Sequence, residues 1–540
     1  MKGLRRLGFL VLASGMALAQ ANPPSSSNVA DELKALREAI AAQQQQITQQ
    51  QQQIQDLKQA LNDKNSGTPH IAEATLRTAP AAPALVPAAA VQAAKEAPKE
   101  SPLSFRIGGT DFTPGGFVDF VNIFRTTNTG SAVSTGFNAI PFSNTAAGHL
   151  TEFRSSAQYS RFSLKVGGKY GENKLTGYIE SDFNGNDATN VFLTTNPHTF
   201  RLRLYYLQLQ RGNWEYTAGQ AWGLLTPNKV GVSASGADLD ILNVTDGNIM
   251  TGVMYSRDAQ LRVAYKGSNF GWGLAVANPQ QVTTAAVVLP TAFSGVLGTQ
   301  VDGATVPGVP NLIPDITTKI AWDTNPTGKN MHFEAGGVIT SAQIAVPSPG
   351  SPATGPFTKE SKFGAGGFGG VGIGVTKKFR VLAHGMYGPG VGRYFIGFGP
   401  QFVVVPSAVS ATTFAAKPSM LHAGSGYGGF EWQAGAKTLI AGYYGGIYYG
   451  RNAFPDVTNP AVVKPIIGYG GVGSANTNNR AIQQGEFVIA QTLWKNAQYG
   501  ALVLASDSSY VTRAPWAHAA TAPKNAHMFM SKIDLKYVLP

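Results

Sequence analysis

The residues best suited to chemistry in this sequence are basic and lie in short alternating segments. Arg161 and Lys165 occupy one segment, Arg201 and Arg203 a second, and Arg262 a third. A guanidinium is a planar fork that grips carboxylate or phosphate through paired hydrogen bonds and stays charged at any relevant pH. If the three segments are alternate strands of one sheet, they stand about 9.5 Å apart. The five cations then form a basic band, a substrate-binding wall for small anions. A competing use is internal, because Asp119, Glu180 and Asp182 lie on the intervening segments and suit the same arginines as partners.

A second group is acidic. Asp238, Asp240 and Asp246 fall in a long connection, roughly residues 224 to 257. If that connection folds inward as a constriction loop, its carboxylates facing the basic band set a transverse field across the opening. Calcium binding and plain solvation are the competing uses.

Catalytic patterns are weak. Gly364, Gly366 and Gly369 match G-x-G-x-x-G, but no strand-to-helix unit surrounds them, so they read as sheet glycines. The eight histidines show no metal-ligand spacing, and no G-x-S-x-G elbow occurs. His384, on an alternating strand, reads as a packed residue before a functional one. With no cysteine there is no disulfide framework, thiolate metal site or cysteine nucleophile. The sequence therefore predicts no catalytic residue, no metal and no cofactor.

The elements that must position the basic band are strands. Phe162, Leu164 and Val166 alternate with Arg161, Ser163 and Lys165, and Phe529, Ile533 and Leu535 alternate with Lys532, Asp534 and Lys536. Such period-two segments have one apolar and one polar face. From Phe105 to Pro540 seven connections are short, around Gly171, Gly212, Gly267, 325 to 329, Lys377, 435 to 437 and 495 to 497. Eight are long, near 126 to 152, 184 to 199, 224 to 257, 279 to 313, 345 to 360, 388 to 419, 450 to 480 and 507 to 527. Short and long connections alternating between 16 strands are the plan of an outer-membrane barrel. Charged residues make up 13% of the chain, about half the usual quarter. A soluble sandwich or propeller needs a more charged exterior, whereas a lipid-facing strand face does not. The fold predicted is all-β: a 16-stranded antiparallel transmembrane β-barrel with an N-terminal α-helical coiled coil.

The N-terminal fifth divides by composition. Residues 1–21 read as a signal peptide, since Lys2, Arg5 and Arg6 precede an apolar run too short to span a bilayer. Residues 28–64 carry an unbroken heptad pattern with Leu33, Ile40, Ile47, Ile54 and Leu61 at one seam position, and Val29, Leu36, Gln43, Gln50 and Leu57 at the other. This predicts a periplasmic coiled coil and an oligomer of unfixed order. Residues 65–104 form an Ala/Pro-rich linker, and residues 105–540 the barrel. The chain carries a net +12, of which +10 belongs to the barrel. Without basic clusters interleaved with stacking aromatics, that excess does not suggest nucleic acid. It suits an anion-attracting lumen.

The chain resembles the DcaP-like family of trimeric outer-membrane porins. The resemblance is carried by FTPGGFVDFVNIFR (Phe112 to Arg125), LTEFRSSAQYSRFSLKVGGKY (Leu150 to Tyr170), TGYIESDFNGND (Thr176 to Asp187), TFRLRLYYLQLQRG (Thr199 to Gly212) and the N-terminal heptads. Beyond about residue 280 it is one of architecture. It implies a homotrimer in the outer membrane of a Gram-negative bacterium, in contact with lipid and lipopolysaccharide, passing small anionic solutes including dicarboxylates. Within its matched segments Arg161 and Arg203 are the expected lumen arginines. The coiled coil would tie protomers together or reach the cell wall. The alternative is a structural or adhesive surface protein that tethers the envelope through its coil.

Overall fold

The computed structural model describes residues 101–540 apart from 186–198, 246–248, 285, 302–310, 326–329, 349–354, 396–398 and 473–477. The signal peptide, the coiled coil, most of the linker and Asp246 lie outside the described residues.

Sixteen strands follow one another in antiparallel order. They are β1 (Thr110–Arg125), β2 (Glu152–Ser156, resuming at Arg161–Tyr170), β3 (Asn173–Asp182), β4 (Arg201–Arg211), β5 (Trp214–Trp222), β6 (Arg257–Lys266), β7 (Phe270–Ala277) and β8 (Asp315–Thr324). The second half comprises β9 (Met331–Pro347), β10 (Phe357–Gly374), β11 (Phe379–Pro389), β12 (His422–Gln433), β13 (Thr438–Tyr449), β14 (Asn479–Asn496), β15 (Gly500–Pro515) and β16 (Ala526–Val538). Each pairs with the next, and β1 also pairs with β16, Phe117 opposite Val538 and Arg125 opposite Met530, which closes the barrel. The predicted long connections at 345 to 360 and 507 to 527 are shorter in the structure. There β9 runs on to Pro347, β10 starts at Phe357, and β15 runs to Pro515.

Alternation places the side chains. On β1, Asp119, Val121, Ile123 and Arg125 are buried inside, while Val118, Phe120 and Phe124 are exposed outside. On β16, Met528, Met530, Lys532 and Asp534 are inside and Phe529, Ile533 and Leu535 outside. The exterior is thus apolar, as a wall against lipid requires. Trp214, Tyr265 and Trp272 cluster beside short turns, with ring centroids 5.3 Å and 6.4 Å from Trp214, and Trp322, Trp432 and Trp494 also lie within a few residues of such turns. Indole rings suit the polar–apolar boundary, so the short-turn rim carries an aromatic belt. Among the described residues no helix is long and apolar enough to cross a membrane.

Two local devices shape the wall. Gly116 sits at φ +133, where a Cβ would fall 2.1 Å from the Arg161 carbonyl oxygen. Only glycine allows β1 to turn there while keeping β2 beside it. A register shift opposite Glu180 leaves Arg203 as the extra residue of β4, so Arg203 and Leu204 are both buried inside.

The buried core lies inside the barrel and above it. Met250 and Val253 of the third long loop (223–256) pack with Leu382, Tyr427, Tyr443, Ile482, Val511 and Met528 of the wall. Above, the loops spanning 390–421 and 450–478 carry hairpins, Phe402–Ala408 with Phe414–Met420 and Asn452–Pro455 with Ile466–Tyr469. Val288 pairs with Gly468, and Asp456 accepts from the Thr291 backbone N–H and hydroxyl at 2.9 and 2.6 Å, which ties the fourth and seventh long loops together.

Candidate functional site

The third long loop folds against the inner wall. Its carboxylate at Asp240 meets Arg380 Nη2 at 2.5 Å and His384 Nε2 at 3.1 Å, both on β11. Asn243 donates to Glu431 of β12 at 2.7 Å, Thr245 to Asp507 of β15, and the Thr251 N–H to Gln484 of β14. At the near end the Asn228 N–H donates to Glu334 of β9, which also accepts from Lys319 at 3.0 Å. Gly252, at φ +101, lies so close to β12 that a Cβ would fall 2.3 Å from the Gly426 oxygen. The loop is therefore fixed to the wall from β9 to β15 by hydrogen bonds, ion pairs and apolar packing together.

This changes what the loop acids do. Burial alone would raise the Asp240 pKa, but Arg380 and His384 outweigh it and hold the carboxyl below its ordinary value of 3.8. Asp240 is an anchor, engaged by β11 and not by the arginines of β2, β4 and β6. Asp238 ends a single 3-10 turn, Gly236–Asp238, and its carbonyl accepts from the Lys229 N–H. His384 is wedged between Asp240 and Glu334, whose Oε1 lies 3.5 Å from Nδ1, and is stacked on Tyr427 at 5.2 Å. Gly364, Gly366 and Gly369 lie within β10, where the sequence reading put them.

The basic residues divide by their partners. Arg201 holds Asp182 through Nε and Nη2 at 3.0 and 2.8 Å. Arg203, nearly buried, donates to Glu180 at 2.8 Å and Asp182 at 2.6 Å. Arg161 is looser, 3.7 Å from Glu180 and 5.1 Å from the Phe117 ring centroid. Lys165 faces Tyr178 in register, is exposed, and forms no ion pair among the described residues. Arg262 is 4% exposed, and among the described residues its one side-chain hydrogen bond runs to the Trp222 carbonyl at 3.5 Å. Alternation along β2, β4 and β6 puts these five on one face, and three of them are tied up with acids on β3.

Two arginines outside the predicted band complete the site. Arg257 opens β6, and its guanidinium lies 5.2 Å from the Trp222 ring centroid and 5.9 Å from that of Tyr255. Among the described residues it forms no ion pair and no side-chain hydrogen bond, and its Nε is buried without a partner. Arg393 comes from the 3-10 turn Gly392–Tyr394 of the sixth long loop and forms a buried pair with Asp315 of β8. The two line one cavity of about 230 Å³ with Arg201, Arg203, Tyr255, Asp258, Gln220, Gln280 and Tyr394. The third and sixth loops are joined there, the Tyr255 N–H donating to the Tyr394 oxygen at 2.9 Å. No local sequence pattern marks Arg393, since its place depends on the path of a long loop. Arg257 has only its position at a loop–strand boundary to mark it.

Among solved structures, the chain is similar to the outer membrane channel DcaP of Acinetobacter baumannii, with a TM-score of 0.54 and 16% identity over 80% of this chain and 98% of that one. An anion-selective porin from Comamonas acidovorans matches with a TM-score of 0.43 and 10% identity, over 80% of this chain and 100% of that one. OmpF of Salmonella typhi matches at 0.43 and 9%, over 81% and 100%. The DcaP match shows the barrel fold; the other two are too distant to carry weight. No family model matches the chain, and no curated protein matches it.

Proposed function

We propose that this protein is an outer-membrane porin for passive diffusion of small anionic solutes, dicarboxylates among them, assembled as a homotrimer in the outer membrane of a Gram-negative bacterium. The observation that carries the reading is the imbalance on the basic wall. Glu180 and Asp182 compensate Arg201 and Arg203, whereas Arg257 and Lys165 have no carboxylate partner among the described residues. A cation with no direct ion pair in a narrow, low-dielectric passage raises the local concentration of anions and disfavours cations. The barrel's net +10 points the same way, and the fold likeness to an outer membrane channel supports a channel. The arginines of Arg161 and Arg203, carried by the family resemblance, would shape the wall through which the solute passes.

The test is single-channel recording in planar bilayers under a salt gradient. An anion-preferring reversal potential is expected, moving toward zero in Arg257→Ala and further when Lys165→Ala is added. A cation-selective potential would overturn the reading. A correctly assembled barrel that passes no current would favour the envelope-tethering role instead.

A further inference from the structure

Asp258 gives the arginine-lined cavity a second kind of recognition. It follows Arg257 at the start of β6, lines the same cavity, and accepts side-chain hydrogen bonds from Gln280 Nε2 at 3.4 Å and from Ser256. Among the described residues it forms no ion pair. The nearest candidate partners are otherwise engaged or oriented: Arg393 is committed to Asp315, and Arg257 lies against Trp222 and Tyr255. A carboxylate placed beside two guanidinium groups, yet bonded to neither, is poorly explained as charge neutralisation. With only two neutral donors on it, its two oxygens keep acceptor capacity for a donor on a ligand.

We propose that this cavity is a binding subsite for a small carboxylate that also carries a hydrogen-bond donor, a hydroxyl or an amine, beside the carboxyl group. Arg257 receives the carboxylate through its free guanidinium edge, and Asp258 receives the donor, with Gln280 holding the Asp258 side chain. Tyr255 and Tyr394 bound the space. The size agrees: about 230 Å³ lies below the range of drug-sized pockets, which begins at roughly 300 Å³, and so selects small molecules. A simple dicarboxylate fills the Arg257 half and leaves Asp258 facing a second anion. An α-hydroxy or α-amino analogue satisfies both. The inference rests on the anion-porin reading and narrows its substrate class.

The experiment uses the full-length channel in planar bilayers at neutral pH, measuring the occupancy of the open pore from current noise as succinate, L-malate or L-aspartate is added. The three share a four-carbon skeleton and differ in one substituent. Malate and aspartate should bind more tightly than succinate by roughly tenfold, the worth of one charge-assisted hydrogen bond. Arg257→Ala should weaken all three, and Asp258→Asn should erase the preference while leaving succinate binding no weaker. Equal affinity for the three solutes in the unmodified channel overturns the proposal, and that comparison needs no variant to fold. If the channel is anion-selective but does not discriminate, this inference alone fails. If it is not anion-selective, the porin reading fails first.

Discussion

Removing the Asp240 carboxylate should loosen the third long loop. In Asp240→Asn the side chain keeps its shape and loses its charge, so Arg380 retains only Glu431 at 3.7 Å and His384 only Glu334 at 3.5 Å. Breaking a buried ion pair costs about 3–5 kcal/mol. Because the Arg380 side chain is 23% exposed and has a second acid nearby, the low end, about 3 kcal/mol, is the appropriate figure. That is about a hundredfold in the balance between the docked and undocked loop. Thr245, Thr251, Met250 and Val253 remain anchored, so the change is local to the segment around Asp240. Hydrogen exchange of residues 236–245 should speed up, and single-channel records should show larger conductance and more noise. The pH dependence has a fixed sign: a carboxyl whose folded pKa lies below 3.8 stabilises the docked loop above that pH, and the contribution is lost as pH falls further. Unchanged exchange and unchanged current noise in Asp240→Asn would refute the anchoring role.

Three further outcomes are expected. Gly252→Ala combines a φ of +101 with a 2.3 Å contact and should cost about 2 kcal/mol or more, read as a lower unfolding temperature on heat-modifiability gels. Asp456, held below its ordinary pKa by hydrogen bonds from Thr291 and Thr458 that outweigh its burial, should make the unfolding temperature of the parent exceed that of Asp456→Ala above about pH 4; the difference should shrink toward zero as pH falls through the folded pKa. Arg203→Ala leaves Glu180 and Asp182 with weaker partners, so it should lower stability by about 3 kcal/mol in urea titrations and shift the reversal potential toward cation preference.

The barrel was legible in the sequence because its signals are local. Alternation of Phe162, Leu164 and Val166 with Arg161, Ser163 and Lys165 fixes which way each residue faces, and short turns at Gly171 and Gly212 fix which strands are neighbours. Those two facts suffice to put all five predicted cations on the interior face. They do not say which acid each cation meets. Arg203 reaches both Glu180 and Asp182 because of a register shift, and no periodicity encodes the position of a bulge. The constriction loop shows the same division. Its length and central place in the chain suggest an inward fold, but its partners, Arg380, Asp507 and Gln484, are 140, 262 and 233 residues away for Asp240, Thr245 and Thr251.

Selectivity therefore has to be reasoned from compensation, not from the number of basic residues. A fully paired arginine such as Arg203 contributes mainly to the integrity of the wall: deleting it exposes two carboxylates, and the expected change in selectivity comes from those acids. An unpaired one such as Arg257 acts on the solute directly, and deleting it should remove anion preference with less loss of stability than deleting Arg203, because no direct ion pair or side-chain hydrogen bond is broken. The two substitutions thus move reversal potential in one direction while separating in unfolding free energy. If Arg257→Ala proves as destabilising as Arg203→Ala, the guanidinium of Arg257 is serving the fold through its stacking on Trp222 and Tyr255, and the anion-binding role must pass to Lys165 and Arg161.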